Sequence, residues 1–189
     1  MGIGYYNSLG TLQAVGPTLA TFTTAASLLN AQAKITLPAG FCSYIGQKLL
    51  IRAQGQLGST GTPTFTIDVR FGTNIVFNGG AMNVVSGGTT TLPFWLDIDM
   101  TVRALGATTS ANLMGQGRIT GRSLSLTSVA VSTTTPATLM LPDTTPAVGA
   151  GFDSTTTNVV DLFCACSVSN AANAITLQQY ELISPNWGG

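Results

Sequence analysis

No histidine occurs among the 189 residues. The commonest general base, proton shuttle and neutral metal ligand is therefore missing, which excludes Ser-His-Asp, Cys-His and His-zinc chemistries. Charge is scarce as well. Lys and Arg number seven, Asp and Glu number seven, and charged residues make up 7% of the chain, against about 25% in an ordinary globular protein. No two basic residues stand closer in sequence than Arg118 and Arg122 do, so the footprint for neutralising a phosphate backbone is missing and nucleic acid is not an expected partner. Long apolar runs are missing too. The uncharged stretches 1–33, 71–96 and 123–142 are each broken by Thr, Gly, Asn or Pro, so none supplies the roughly 18 consecutive apolar residues of a membrane span. The first charge is Lys34, and the basic region that opens a secretory signal is lacking. Synthesis in a cytoplasm, without membrane attachment, is the expectation. Cysteine is limited to Cys42, Cys164 and Cys166, an odd number without metal-ligand partners. They read as reduced, buried hydrophobes, with no metal and no cofactor expected.

What is present is alternation. In TFTIDVRF, Phe65, Ile67, Val69 and Phe71 alternate with Thr64, Thr66, Asp68 and Arg70, the period of a strand with one buried face. PFWLDIDMTVRA repeats the pattern, with Phe94, Leu96, Ile98, Met100 and Val102 on one side and Trp95, Asp97, Asp99, Thr101 and Arg103 on the other. Further strands are predicted at 48–56, 74–80, 112–119, 123–131, 158–168 and 174–183. Gly72, Thr73 and Asn74 suit a hairpin, and Asn78, Gly79 and Gly80 suit a second turn. Only 18–33 has helical potential, weakened by its β-branched Thr cluster. The chain is expected to be an all-β antiparallel sandwich, a jelly roll.

Two segments, 1–17 and 186–189, stand outside the core domain of 18–185, and a third, 133–158, is a less compact part of it. Residues 1–17, with Gly2, Gly4, Gly10 and Gly16 and no charge, read as a pliable arm whose Ile3, Tyr5, Tyr6, Leu9 and Leu12 supply apolar contact, ordered only against a partner. Residues 133–158 read as a long loop across one end of the sandwich. Residues 186–189 form a short tail carrying Trp187.

The candidate chemistry is thin. Asp97 and Asp99 share a strand face and come nearest to a paired carboxylate or calcium site, but charge pairing with Arg70 and Arg103 accounts for them better. Arg118 and Arg122 offer an anion clamp, with surface hydrogen bonding as the simpler use. GQGRITG lacks the strand-to-helix context of a phosphate loop. Tyr5, Tyr6, Trp95, Tyr180 and Trp187 are the aromatics available for subunit packing or for stacking on sugar rings. An enzyme is not expected.

The succession TFTIDVRFGTNIVFNGGAM, PFWLDIDMTVRALG, ANLMGQGRI and VVDLFCACSVSNAANAITLQQYELISPN, spanning 20–185, resembles a group of tailed-bacteriophage virion proteins with a tumour-necrosis-factor-like (TNF-like) jelly roll. The resemblance implies a homotrimeric decoration, or cement, protein on the outer surface of the capsid, made in the host bacterial cytoplasm and bound to the major capsid protein of the phage head. The arm residues would then be the capsid anchor. The secreted cytokine relatives of the fold carry an anchor or signal, a departure that disfavours receptor signalling. A jelly-roll trimer buries one sheet face of each subunit around the threefold axis, and Phe163, Ala165, Tyr180 and Leu182 form the charge-poor face expected there. Burying that face would account for the missing charge. The alternative is a tail- or fibre-associated module that binds a receptor or glycan through Trp95 and the 133–158 loop.

Overall fold

The structure is a computed structural model that describes residues 5–84, 91–122, 124–125 and 136–186. Two antiparallel sheets face each other. Sheet A runs in the order β1 (Tyr5–Thr11), β12 (Ala174–Asn186), β4 (Lys48–Gly58), β7 (Leu92–Ala104), β8 (Asn112–Gly121) and β10 (Ala137–Leu141). Sheet B runs β2 (Ala26–Ser27), β11 (Asn158–Cys166), β5 (Thr64–Phe71), β6 (Asn74–Val84) and β9 (Leu124–Ser125), with β3 (Ile35–Leu37) also paired to β11. The alternation is reproduced in space. Phe65, Ile67, Val69 and Phe71 of β5 and Phe94, Leu96, Ile98, Met100 and Val102 of β7 are all buried between the sheets. Phe71 meets Phe152 edge to face with ring centroids 4.9 Å apart, a favoured geometry for two aromatic quadrupoles. Cys42, Cys164 and Cys166 are unbridged and buried. Burial pushes the Cys42 thiol up to about 11 and raises Cys164 as well.

Several expectations are corrected. The helical potential of 18–33 is realised only as one 3-10 turn, Ala31–Ala33; the rest follows the sheets, with Leu19 bridged to Ile175 and Leu28 donating to the Leu162 carbonyl. Asn78 to Gly80 is no turn. It is an irregularity inside β6, where the register on β5 shifts between Thr66 and Asp68 and Gly80 adopts φ +73°. The 133–158 segment is not simply a loop. Leu139 and Leu141 alternate inward as β10 on the edge of sheet A, and Val148 and Phe152 bridge back to β8 and its approach. Residues 126–135, including most of the predicted 123–131 strand, lie outside the described residues.

The segment read as a separate arm is the edge strand of sheet A. Tyr5 to Thr11 pair with β12, and Leu12, Gly16 and Leu19 continue down the same strand by donating to the Tyr180, Leu177 and Ile175 carbonyls. Leu9 and Leu12 pack on the core. The physical reason is the open edge of β12, whose backbone groups need partners that an uncharged, apolar segment readily supplies.

Candidate functional site

The two outer faces of the sandwich hold most of the charge. Sheet A carries Lys48, Arg52, Asp97, Asp99, Arg103, Arg118 and Glu181 on its outer face, half of all the charged residues in the chain. Register lines up a row of alternating sign across four adjacent strands. Glu181 of β12 faces Arg52 of β4, Arg52 faces Asp97 of β7, and Asp97 faces Arg118 of β8. The next row joins Gln179, Gln54, Trp95 and Thr120. The expected partners of the two aspartates are corrected here: Asp97 pairs with Arg118 at 3.0 Å and Asp99 with Lys48 at 2.7 Å. Arg70 belongs to the other sheet and cannot reach either.

A groove of about 580 Å³ crosses this face between β1 and β7, lined by Thr11, Arg52, Gln54, Trp95, Gln179 and Glu181 among others. A kink in β12 shapes its wall. The pairing of β12 on β4 shifts register between Leu177 and Gln179, so Gln178 and Gln179 both face outward while Tyr180 turns in. Gly55 lies opposite that bulge, where a Cβ would collide with the Thr176 carbonyl oxygen. Trp95 is 48% exposed, and its indole Nε1 donates to Asp97 Oδ1 at 3.1 Å. The other Asp97 oxygen accepts from Arg118 Nε, so one carboxylate fixes both the ring and the guanidinium.

Sheet B uses its charges differently. Asp161 is nearly buried and accepts from Lys34 Nζ at 2.8 Å, Ser27 Oγ at 2.7 Å and its neighbour's backbone, Leu162 N, at 2.8 Å. Asp68, also buried, receives Arg70 Nε at 2.6 Å and Nη2 at 3.1 Å. The Arg70 guanidinium lies 4.0 Å over the Phe163 ring. Its proton is held more firmly than usual, chiefly by the hydrogen bond to Asp68.

The four residues expected at a trimer axis are divided between the sheets. Phe163 and Ala165 lie half-buried on the outer face of sheet B, whereas Tyr180 and Leu182 are buried in the core of the subunit itself. The bulge is the reason, since it moves Tyr180 and Leu182 onto the inward phase of β12. Burial, with a smaller contribution from Asp161, raises the Tyr180 phenol above its ordinary value, and its hydroxyl has no hydrogen-bond partner among the described residues. Of the arm residues, Tyr6 is 71% exposed, while Ile3 lies outside the described residues, as does Trp187. Sequence reasoning singled out Trp95 but missed Arg52, Gln54, Gln179 and Glu181, which become neighbours only through strand register. Among the described residues there is no cluster of three His, Cys, Asp or Glu side chains able to hold a metal, and no helix is long and apolar enough to cross a membrane.

No family model matches the chain, and no curated protein matches it. Among solved structures it is similar to the CBM2 module of the evolved Dit of Lactobacillus casei BL23 phage J-1, with 8% sequence identity, 98% of this chain and 99% of that chain covered, and a TM-score of 0.35.

Proposed function

We propose that the chain is a non-enzymatic structural protein of a tailed-bacteriophage particle, a homotrimeric jelly roll seated on the outside of the capsid through the major capsid protein. The strand order carries this reading. In sheet A the sequence β1-β12-β4-β7 and in sheet B the sequence β2-β11-β5-β6 interleave, so the connections from β4 to β5, from β6 to β7 and from β11 to β12 each cross between sheets. These crossings support a jelly-roll wrapping, with β8 and β10 added at one edge. The resemblance of segments 64–82, 93–106, 111–119 and 159–186 to TNF-like virion proteins adds the trimer and the capsid.

Within this reading, the outer face of sheet B is the self-association surface. Its charges are saturated inside the subunit, and what it offers a neighbour is Val159, Phe163 and Ala165. Tyr6, on the edge strand, is the assigned capsid contact. Immunogold labelling of purified particles tests the location, with heads labelled as the expected result and tail tips as the result against it. Light scattering behind size exclusion tests the trimer. Ala165→Glu is expected to give monomers, and a monomeric parent protein overturns the assembly. A tail- or fibre-associated glycan-binding module is the second reading, favoured by the Trp95 groove.

A further inference from the structure

We propose that the groove on the outer face of sheet A is a binding site for a neutral hexopyranose oligosaccharide, whether the protein sits on the head or the tail. A pyranose ring has a patch of C–H bonds on its face and a rim of hydroxyls that both donate and accept. Recognition therefore needs an aromatic plate beside planar polar side chains. Trp95 is the plate. Its indole nitrogen is already tied to Asp97 at 3.1 Å and Asp97 to Arg118 at 3.0 Å, so the ring is ordered before any ligand arrives. Facing it across adjacent strands stand Gln54 and then Gln179, with Arg52 and Glu181 in the next row. Strands lie about 4.8 Å apart and same-face residues about 6.8 Å apart along a strand, so these positions frame an area of one to two sugar rings.

Hydrogen-bonding capacity distinguishes this group from its neighbours. Asp97, Asp99, Lys48 and Arg118 are paired on the same face, yet the side chains of Arg52, Gln54, Gln179 and Glu181 make no hydrogen bond or ion pair with other described residues. Two amides, a guanidinium and a carboxylate thus retain their donors and acceptors around one half-exposed indole. Arg52 and Glu181 cancel in charge, which fits an uncharged ligand and gives a phosphate or uronate polymer no net attraction. All of these groups are borne by strands, and a volume of about 580 Å³ falls within the range of small-ligand sites.

The test titrates the full chain, in a Trp187→Phe background so that Trp95 is the sole tryptophan reporter, with maltotetraose, cellotetraose, chitotetraose and β-1,4-galactotetraose. At least one is expected to bind saturably at concentrations up to about 10 mM and to shift the Trp95 emission. By calorimetry, Trp95→Ala is expected to lose at least about tenfold in affinity, with Trp95→Tyr retaining part of it and Gln54→Ala and Gln179→Ala weakening it several-fold. Unchanged far-ultraviolet circular dichroism shows that each variant is folded. The proposal is overturned if none of the four sugars binds, or if binding survives Trp95→Ala. Particle labelling that moves from head to tail changes the proposed location and leaves this result standing.

Discussion

The outer faces of the two sheets use similar residue types in opposite ways. On sheet B the aspartates are buried and fully occupied, Asp161 by Lys34, Ser27 and a backbone amide, Asp68 by two arms of Arg70. On sheet A the aspartates are more open, and beside them lie polar side chains with no partner among the described residues. In a protein with so few charges, saturation marks where the fold is being closed, and unused hydrogen-bonding capacity marks where something else is to be met. A buried carboxylate without its partners is costly, whereas an exposed pair contributes little because water replaces either partner.

The strongest perturbation of this contrast is at the edge of sheet A. Deleting residues 2–16 removes β1 and the packing of Leu9 and Leu12 while uncovering the edge of β12. It is expected to lower unfolding stability by at least about 3 kcal/mol, measured by urea denaturation, and to promote aggregation through the freed edge. An arm that stood apart from the sandwich would leave the melting curve unchanged.

On sheet B, Asp161→Ala deprives Lys34 of its ion-pair partner and leaves Ser27 Oγ only its contacts with Leu29. The expected loss is about 3 kcal/mol in the same assay, and a loss below about 1 kcal/mol would erase the distinction between the faces. Alkaline pH affects the interior instead. The Cys42 thiol, ordinarily at 9.0, is raised to about 11 by burial, so the folded state holds its proton while the unfolded chain releases it. Its contribution is fully present below pH 9.0 and is lost as the pH climbs towards about 11, roughly 2 kcal/mol in all. A Cys42→Ala variant is expected to show a shallower decline over that window in pH-dependent chemical denaturation. The smallest effect is on the open face: Lys48→Ala is expected to change stability by less than about 0.5 kcal/mol, read from the same urea curves.

Much of the sandwich was legible in the sequence because one buried face imposes a period of two. The strand predicted at 64–71 matches β5 residue for residue, and that at 93–104 begins one residue inside β7. The alternation gives no warning where an extra residue enters a strand. Tyr180 and Leu182 look available for a neighbouring subunit only if β12 is read as unbroken, and Asn78 to Gly80 mimic a turn because a bulge favours the same residues. The pairing of β1 with β12 joins the two ends of the chain, a separation no local pattern records. Trp95 was visible as an unusual outward aromatic, but its neighbours in the groove come from two strands, β4 and β12, that lie far away in sequence.

The bulge in β12 also bears on how this surface can change over time. Because Gln178 is the extra residue of the bulge, dropping it would leave Tyr180 and Leu182 inward, whereas dropping a residue beyond it, such as Glu181, would exchange the roles of everything after it and send Leu182 towards solvent. Substitutions at 179 and 181, by contrast, touch the groove without disturbing the interior. Segment length beyond the bulge, in 180–186, is therefore under tighter constraint than the identity of the outward residues, so the face is free to diversify its chemistry as long as that part keeps count.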